Sequence, residues 1–80
     1  MRTDVEILDY YDTEVVKYIV SETKCDAKDA LSRFLSSRTY AMLANPEMRM
    51  WQFGPLGIYE IWRCEQETGS PLNSDYLRAA

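Results

Sequence analysis

Wound at about 100° per residue, Leu8, Tyr11, Val15, Tyr18 and Ile19 fall on one face, with Val5, Ile7 and Val16 on its flanks. Glu6, Asp9, Thr13, Lys17, Ser21 and Lys24 turn largely the other way. The stripe predicts a first helix over about 4–23. Thr3 or Asp4 can cap it, and acids occupy its first turn, where the helix dipole favours them. Tyr10 and Val20 lie off the stripe. An off-stripe tyrosine reads first as a surface ring, and it is also a place where a partner can pack.

The same spacing returns at Ala27, Ala30, Leu31, Phe34 and Leu35, preceded by Asp26 as an N-cap with Asp29 three residues on, so a second helix is expected over about 26–36. Ser36 and Ser37 interrupt it. Ser37 can cap a short third helix, 38–44, that carries Tyr40, Met42 and Leu43. A single helix over 27–44 is the competing reading, because Ala41 and Met42 continue the spacing. Asn45 before Pro46 disfavours helix at 45, and Asn-Pro-Glu-Met is a good turn sequence.

From Met48 to Phe53 the pattern changes to alternation, with Arg49, Trp51 and Phe53 on one side and Met48, Met50 and Gln52 on the other. This predicts a short extended segment over about 48–53, without a second strand to pair with inside the chain. Only one of its faces can bury fully. Gly54 and Pro55 then open a last main helix, about 55–68, with Ile58, Ile61 and Trp62 inward and Leu56 and Tyr59 beside them. Gly69 and Pro71 stop it. Residues 70–80 are expected to form a short turn or a frayed tail that docks through Leu72, Tyr76 and Leu77. The fold class is therefore all-α, a small three- to four-helix domain over 1–80 with one short extended segment between helices.

Ten aromatic residues in 80 are many for so short a chain, whose core is limited by its surface-to-volume ratio. Large rings supply buried area economically, and dimerisation is a compatible second route to stability. No apolar run approaches the roughly 18 residues that span a bilayer, and Met1 to Asp12 lacks a basic start followed by an apolar block. A soluble, cytoplasmic protein is expected, with no membrane contact and with Cys25 and Cys64 reduced.

Charge divides the chain. Residues 1–26 carry Asp4, Glu6, Asp9, Asp12, Glu14, Glu22 and Asp26 against Arg2, Lys17 and Lys24, a net −4. Residues 27–63 carry Lys28, Arg33, Arg38, Arg49 and Arg63 against Asp29, Glu47 and Glu60, a net +2. That excess is small for neutralising several phosphates. A helix-turn-helix reading of 26–44 meets a further difficulty, because Arg38 to Ala44 offers few polar side chains to reach base edges.

The chain has no histidine, which removes the commonest general base and metal ligand, and two cysteines cannot complete a zinc site alone. Gly54-Pro55-Leu56-Gly57 is a helix start and not a phosphate cradle. Glu60 with Glu65 or Glu67 is the only acidic cluster beside aromatics, and it reads first as a solvated helix face. Cys64 beside Arg63 has no base near it in sequence. No enzyme, cofactor, metal or small-molecule ligand is expected. Were there a ligand, Trp51, Tyr59 and Trp62 would line its pocket.

Phe34, Ser37, Arg38, Thr39, Leu43, Asn45, Glu47, Trp51, Pro55 and Glu65 together follow a pattern F-x-x-S-[KR]-T-x-x-x-L, then an Asn-x-Glu turn, W, P and E. This resembles a group of small uncharacterised bacterial proteins with a domain of unknown function. The resemblance covers about 30 residues of the chain, and it defines no catalytic residues. It implies an accessory protein, encoded beside toxin-like or other partner proteins in a toxin and antitoxin type of arrangement.

Most matched positions have structural explanations, while Arg38, Thr39 and Trp51 have less obvious ones. With Met48, Met50 and Phe53 of the alternating segment they make the candidate interface. The expected function is a non-enzymatic protein-interaction or accessory module, antitoxin-like, acting as a homodimer or on a partner protein. The alternative is a small DNA-binding or autoregulatory protein that uses the basic middle.

Overall fold

The structure, a computed structural model, describes residues 3–78, with side chains described over 9–45 and 47–77. Its order is α1 (Thr3–Thr23), α2 (Ala27–Leu35), α3 (Arg38–Ala44), two 3-10 turns (Pro46–Met48 and Met50–Phe53), α4 (Gly54–Thr68), a third 3-10 turn (Pro71–Asn73) and α5 (Asp75–Arg78). The all-α class holds, with five α-helices against the three to four expected. No strand occurs among the described residues. The first four helices begin and end within one residue of the bounds read from periodicity and caps. The caps assigned to Thr3 or Asp4, and the place of Leu8 on the stripe, lie outside the described side chains.

On α1, Tyr11, Val15 and Ile19 are buried, as the stripe requires. They meet Ile58, Tyr59, Ile61 and Trp62 of α4, and Tyr18 stacks on Tyr59 at a centroid distance of 5.5 Å. Helix α2 buries Ala30 and Phe34 completely but leaves Leu31 and Leu35 exposed, so its apolar stripe is wider than the surface the fold covers. Asp26 caps it by accepting from the Asp29 N–H at 3.0 Å.

The chain breaks at Ser36-Ser37, which excludes the single helix over 27–44. Ser37 serves both neighbours: its hydroxyl donates to the Phe34 carbonyl at 2.6 Å, closing α2, and accepts from the Tyr40 N–H at 3.1 Å, opening α3. Two further amides of α3's first turn are satisfied from far along the chain. The Glu65 carboxylate, on α4, accepts from the Arg38 N–H (3.0 Å), the Thr39 N–H (3.0 Å) and the Thr39 hydroxyl (2.8 Å). A negative group here also meets the positive end of the helix dipole.

Helix α4 packs against α1, α3 and the turns 50–53 and 71–73. Gly57 lets two of these neighbours close in, since a Cβ there would lie 2.9 Å from Phe53 Cβ and 3.4 Å from the Tyr76 ring. The helix stops at Gly69, whose N–H reaches the Glu65 carbonyl at 2.8 Å. The segment after it docks through Pro71, Ser74 and Leu77. Leu72, expected to dock, is exposed, while Tyr76 sets its ring edge-on to Phe53 and donates its hydroxyl to Glu60 at 2.6 Å.

The tie between Glu65 and α3 should be measurable. Glu65→Ala removes the acceptor of three bonds and is expected to cost about 2 kcal/mol, seen as a thermal midpoint lower by roughly 8–16 °C. Thr39→Val, which keeps the shape and loses one donor, should cost about 1 kcal/mol.

Candidate functional site

The segment expected to be extended, 48–53, is instead helical. Met48 N–H reaches the Asn45 carbonyl at 3.0 Å and Gln52 N–H the Arg49 carbonyl at 3.2 Å, each a 3-10 bond. With no strand beside it, the backbone satisfies its polar groups locally. Asn45 starts this stretch as a turn residue, its side-chain oxygen accepting from the Glu47 N–H at 3.0 Å. Arg49 separates the two turns in the left-handed region, at φ 52 and ψ 36.

The change of period changes which side chains face inward. Residues three apart eclipse in a 3-10 turn, so Met50 and Phe53 share a side. Met50 is fully buried, and Phe53 is half-buried with its ring edge-on to Tyr76 at 5.6 Å. Met48 and Trp51 are left outside, Trp51 with 40% of its surface exposed. Alternation would have exposed one of the two pairs whole; the structure exposes one member of each.

Trp51 is held from behind. Its carbonyl accepts from the Tyr11 hydroxyl on α1 and from the Gly54 N–H. Gly54 sits at φ 75, which glycine adopts without strain, and turns the chain into Pro55 and α4. Burial pushes the Tyr11 hydroxyl up from its ordinary value, against the opposing effect of the Gly54 backbone, so at neutral pH it remains a donor. An exposed indole thus projects from a backbone fixed on both sides.

Of the six residues proposed from sequence as an interface, Arg38, Met48 and Trp51 are exposed and Phe53 is partly so. Thr39 and Met50 are fully buried and leave the set. Thr39 faces Glu65, and Met50 fills the core, so neither can meet a partner without unfolding. Arg38 is reduced to its side chain, because its N–H is already bound by Glu65.

The geometry gives a DNA reader little. Helix α3 has seven residues, with Thr39 and Leu43 buried and Tyr40 and Met42 half-buried. Its N-terminus, where a phosphate would bind, already holds a carboxylate.

The acids weighed as a catalytic pair are employed apart from one another. Glu60 accepts from Tyr76, Glu65 holds α3, and Glu67 pairs with Arg63 at 3.1 Å. Arg63 is thereby directed to Glu67 rather than Cys64, whose sulfur lies 3.8 Å from the Thr68 hydroxyl. Both cysteines are free. Of the three residues expected to line a ligand pocket, Tyr59 and Trp62 share a cleft without Trp51. The two rings stack at 6.2 Å, and the cleft, of about 300 Å³, is also bordered by Glu22, Arg33 and Arg63. Among the described residues no group of three or more acids and cysteines could hold a metal ion, and no helix is long and apolar enough to cross a membrane.

One feature of the surface has no counterpart in the sequence reading, which counts Asp12 only as a charge. A groove of about 660 Å³ runs between α1 and α2, and Asp12 lines it with Asp9, Val16, Lys17, Ala27 and Leu31. Asp12 Oδ1 is buried with no hydrogen-bond partner. Burial first, and Asp9 second, push its carboxyl above the ordinary value.

No protein-family model, curated protein or solved structure matches the chain.

The raised carboxyl has a signed consequence. A folded pKa above the ordinary 3.8 means the folded state holds the Asp12 proton more tightly, so this residue lowers stability as pH rises through that window. Asp12→Asn should therefore raise the thermal midpoint at pH 7. The gain should shrink as pH falls toward 3.8, which paired melting curves across that range will show.

Proposed function

We propose that this chain is a non-enzymatic protein-interaction module, and that Trp51 with Met48 marks one contact face. The observation that supports it most is the exposed Trp51 ring on a backbone held by Tyr11, Gly54 and the buried Met50. A large ring presented without rotational freedom in its backbone loses little entropy on contact, and such residues dominate interface energetics. The absence of histidine and the separate structural employment of Glu60, Glu65 and Glu67 support a role without chemistry. The accessory, antitoxin-like cast of the proposal comes from the resemblance in the Phe34 to Glu65 pattern. The contact serves a second copy of the chain or a partner protein.

Light scattering on size-exclusion fractions, together with affinity capture from the source cell, tests this reading. The expected result is a dimer or a stoichiometric complex that weakens at least about tenfold in Trp51→Ala. The variant should keep its helical circular dichroism, because the ring it removes lies outside the core. A strict monomer that captures no stoichiometric partner would contradict the proposal.

A further inference from the structure

We propose that the groove between α1 and α2 is a second docking site, for a segment of a partner protein that presents a lysine or arginine among apolar side chains. Two independent deficits of the fold meet there. The first is apolar: α2 buries Ala30 and Phe34 but leaves Leu31 38% exposed and Ala27 exposed, and both line the groove opposite the half-buried Val16. The second is electrostatic: Asp9 and Asp12 line the groove, and Asp12, part-buried, has one carboxylate oxygen sealed from solvent with no hydrogen-bond partner.

The charges around Asp12 do not relieve it. Asp9 lines the same groove and has the same sign. Tyr40, on α3, faces both acids, and they hold its hydroxyl up further after burial has raised it. Lys17 is the one cation of the lining, and its ammonium is drawn to Glu14 at 3.2 Å. A carboxylate already short of hydrogen-bond partners is costly to cover further, and a cation that brings its own donors to the part still open to the groove offsets that cost. An incoming basic side chain supplies that, while its apolar neighbours cover Val16, Ala27 and Leu31.

Charge complementarity selects among the occupants. A nucleic acid is repelled by Asp9 and Asp12 and by the net −4 of residues 1–26. A purely apolar helix would cover Leu31 and leave Asp12 sealed without a partner, at a greater cost than before binding. A basic amphipathic segment answers both deficits, the groove-and-helix mode of recognition. The lining residues all come from α1 and α2 and none from 48–53, so the proposal does not depend on the Trp51 face.

Three labelled synthetic helices of equal length test it, built of alanine and leucine with lysine, glutamine or glutamate at the same spaced positions. Binding to the full chain is read by fluorescence anisotropy at physiological salt. The lysine peptide should bind at least about tenfold more tightly than the glutamine peptide, and the glutamate peptide more weakly than either. Asp12→Asn should erase the gap between the lysine and glutamine peptides. Leu31→Glu should weaken the glutamine peptide, whose binding rests on apolar contact.

Glu22→Gln removes an acid outside the groove and should leave the gap in place. Unfolding curves accompany each variant, and Asp12→Asn should be at least as stable as the parent, so its lost discrimination cannot be ascribed to misfolding. Equal binding of all three peptides, no binding of any, or a gap that Glu22→Gln narrows as much as Asp12→Asn would overturn the proposal. So would a self-association of the parent chain that Asp12→Asn abolishes, since the groove would then hold a second copy. These probes read the groove alone, so their failure leaves the Trp51 face standing.

Discussion

A single carboxylate, that of Glu65, ties α3 to α4 by polar contact. Helix α3 is seven residues long, well short of the roughly 12–15 at which an isolated helix becomes even marginally stable in water. Its first turn would otherwise leave amides without acceptors, and Thr39 is wholly buried, away from water that could substitute. Ser37 satisfies one amide locally, but Arg38 and Thr39 depend on Glu65, 27 and 26 positions further along. The contact sets where α4 crosses α3. It follows that the chain between them must return through the turn at Asn45 and the 3-10 segment in a restricted space.

That constraint also decides which surfaces remain for function. With Glu65 at its N-terminus, α3 cannot offer an anion site, and Thr39 is withdrawn from the surface. Met50 is buried in the core and Tyr11 fastens the Trp51 carbonyl, so the Trp51 and Met48 side chains are the large apolar groups the segment has left to present. Helix α2 is held by Phe34 and Ala30, and Leu31, uncovered, lines a groove with Asp12. A thin molecule, 18 Å along its shortest axis, cannot bury both faces of such a helix. Both surfaces are left uncovered by the fold.

The helices were legible in the sequence because their signals are local. Asp26, Ser37 and Asn45 act on amides two or three residues away, and the stripes of α1 and α4 recur at helical spacing over several turns. The 48–53 stretch was not legible, because six residues cannot separate a period of two from a period of three. What decided between them was the absence of a neighbouring strand to receive the backbone. The spacing puts Leu31 and Leu35 in one stripe with Ala30 and Phe34, but does not say how many of them the rest of the chain can cover. Glu65 was visible as one of the acids near Glu60 and as one member of the pattern shared with Ser37, Arg38 and Thr39. Its role needs the α3–α4 crossing, which no local spacing encodes.

Amide hydrogen exchange at Arg38 and Thr39 tests the central role of Glu65 most directly. First-turn amides of a seven-residue helix ordinarily exchange at nearly unprotected rates, having no acceptor within the helix. Here both should be protected in the parent chain. In Glu65→Gln, which alters the acceptor with little change in size, their protection should fall ahead of that of the amides inside α4. Unprotected exchange at both positions in the parent chain, or protection unchanged in the variant, would show that the carboxylate does not hold α3 in place.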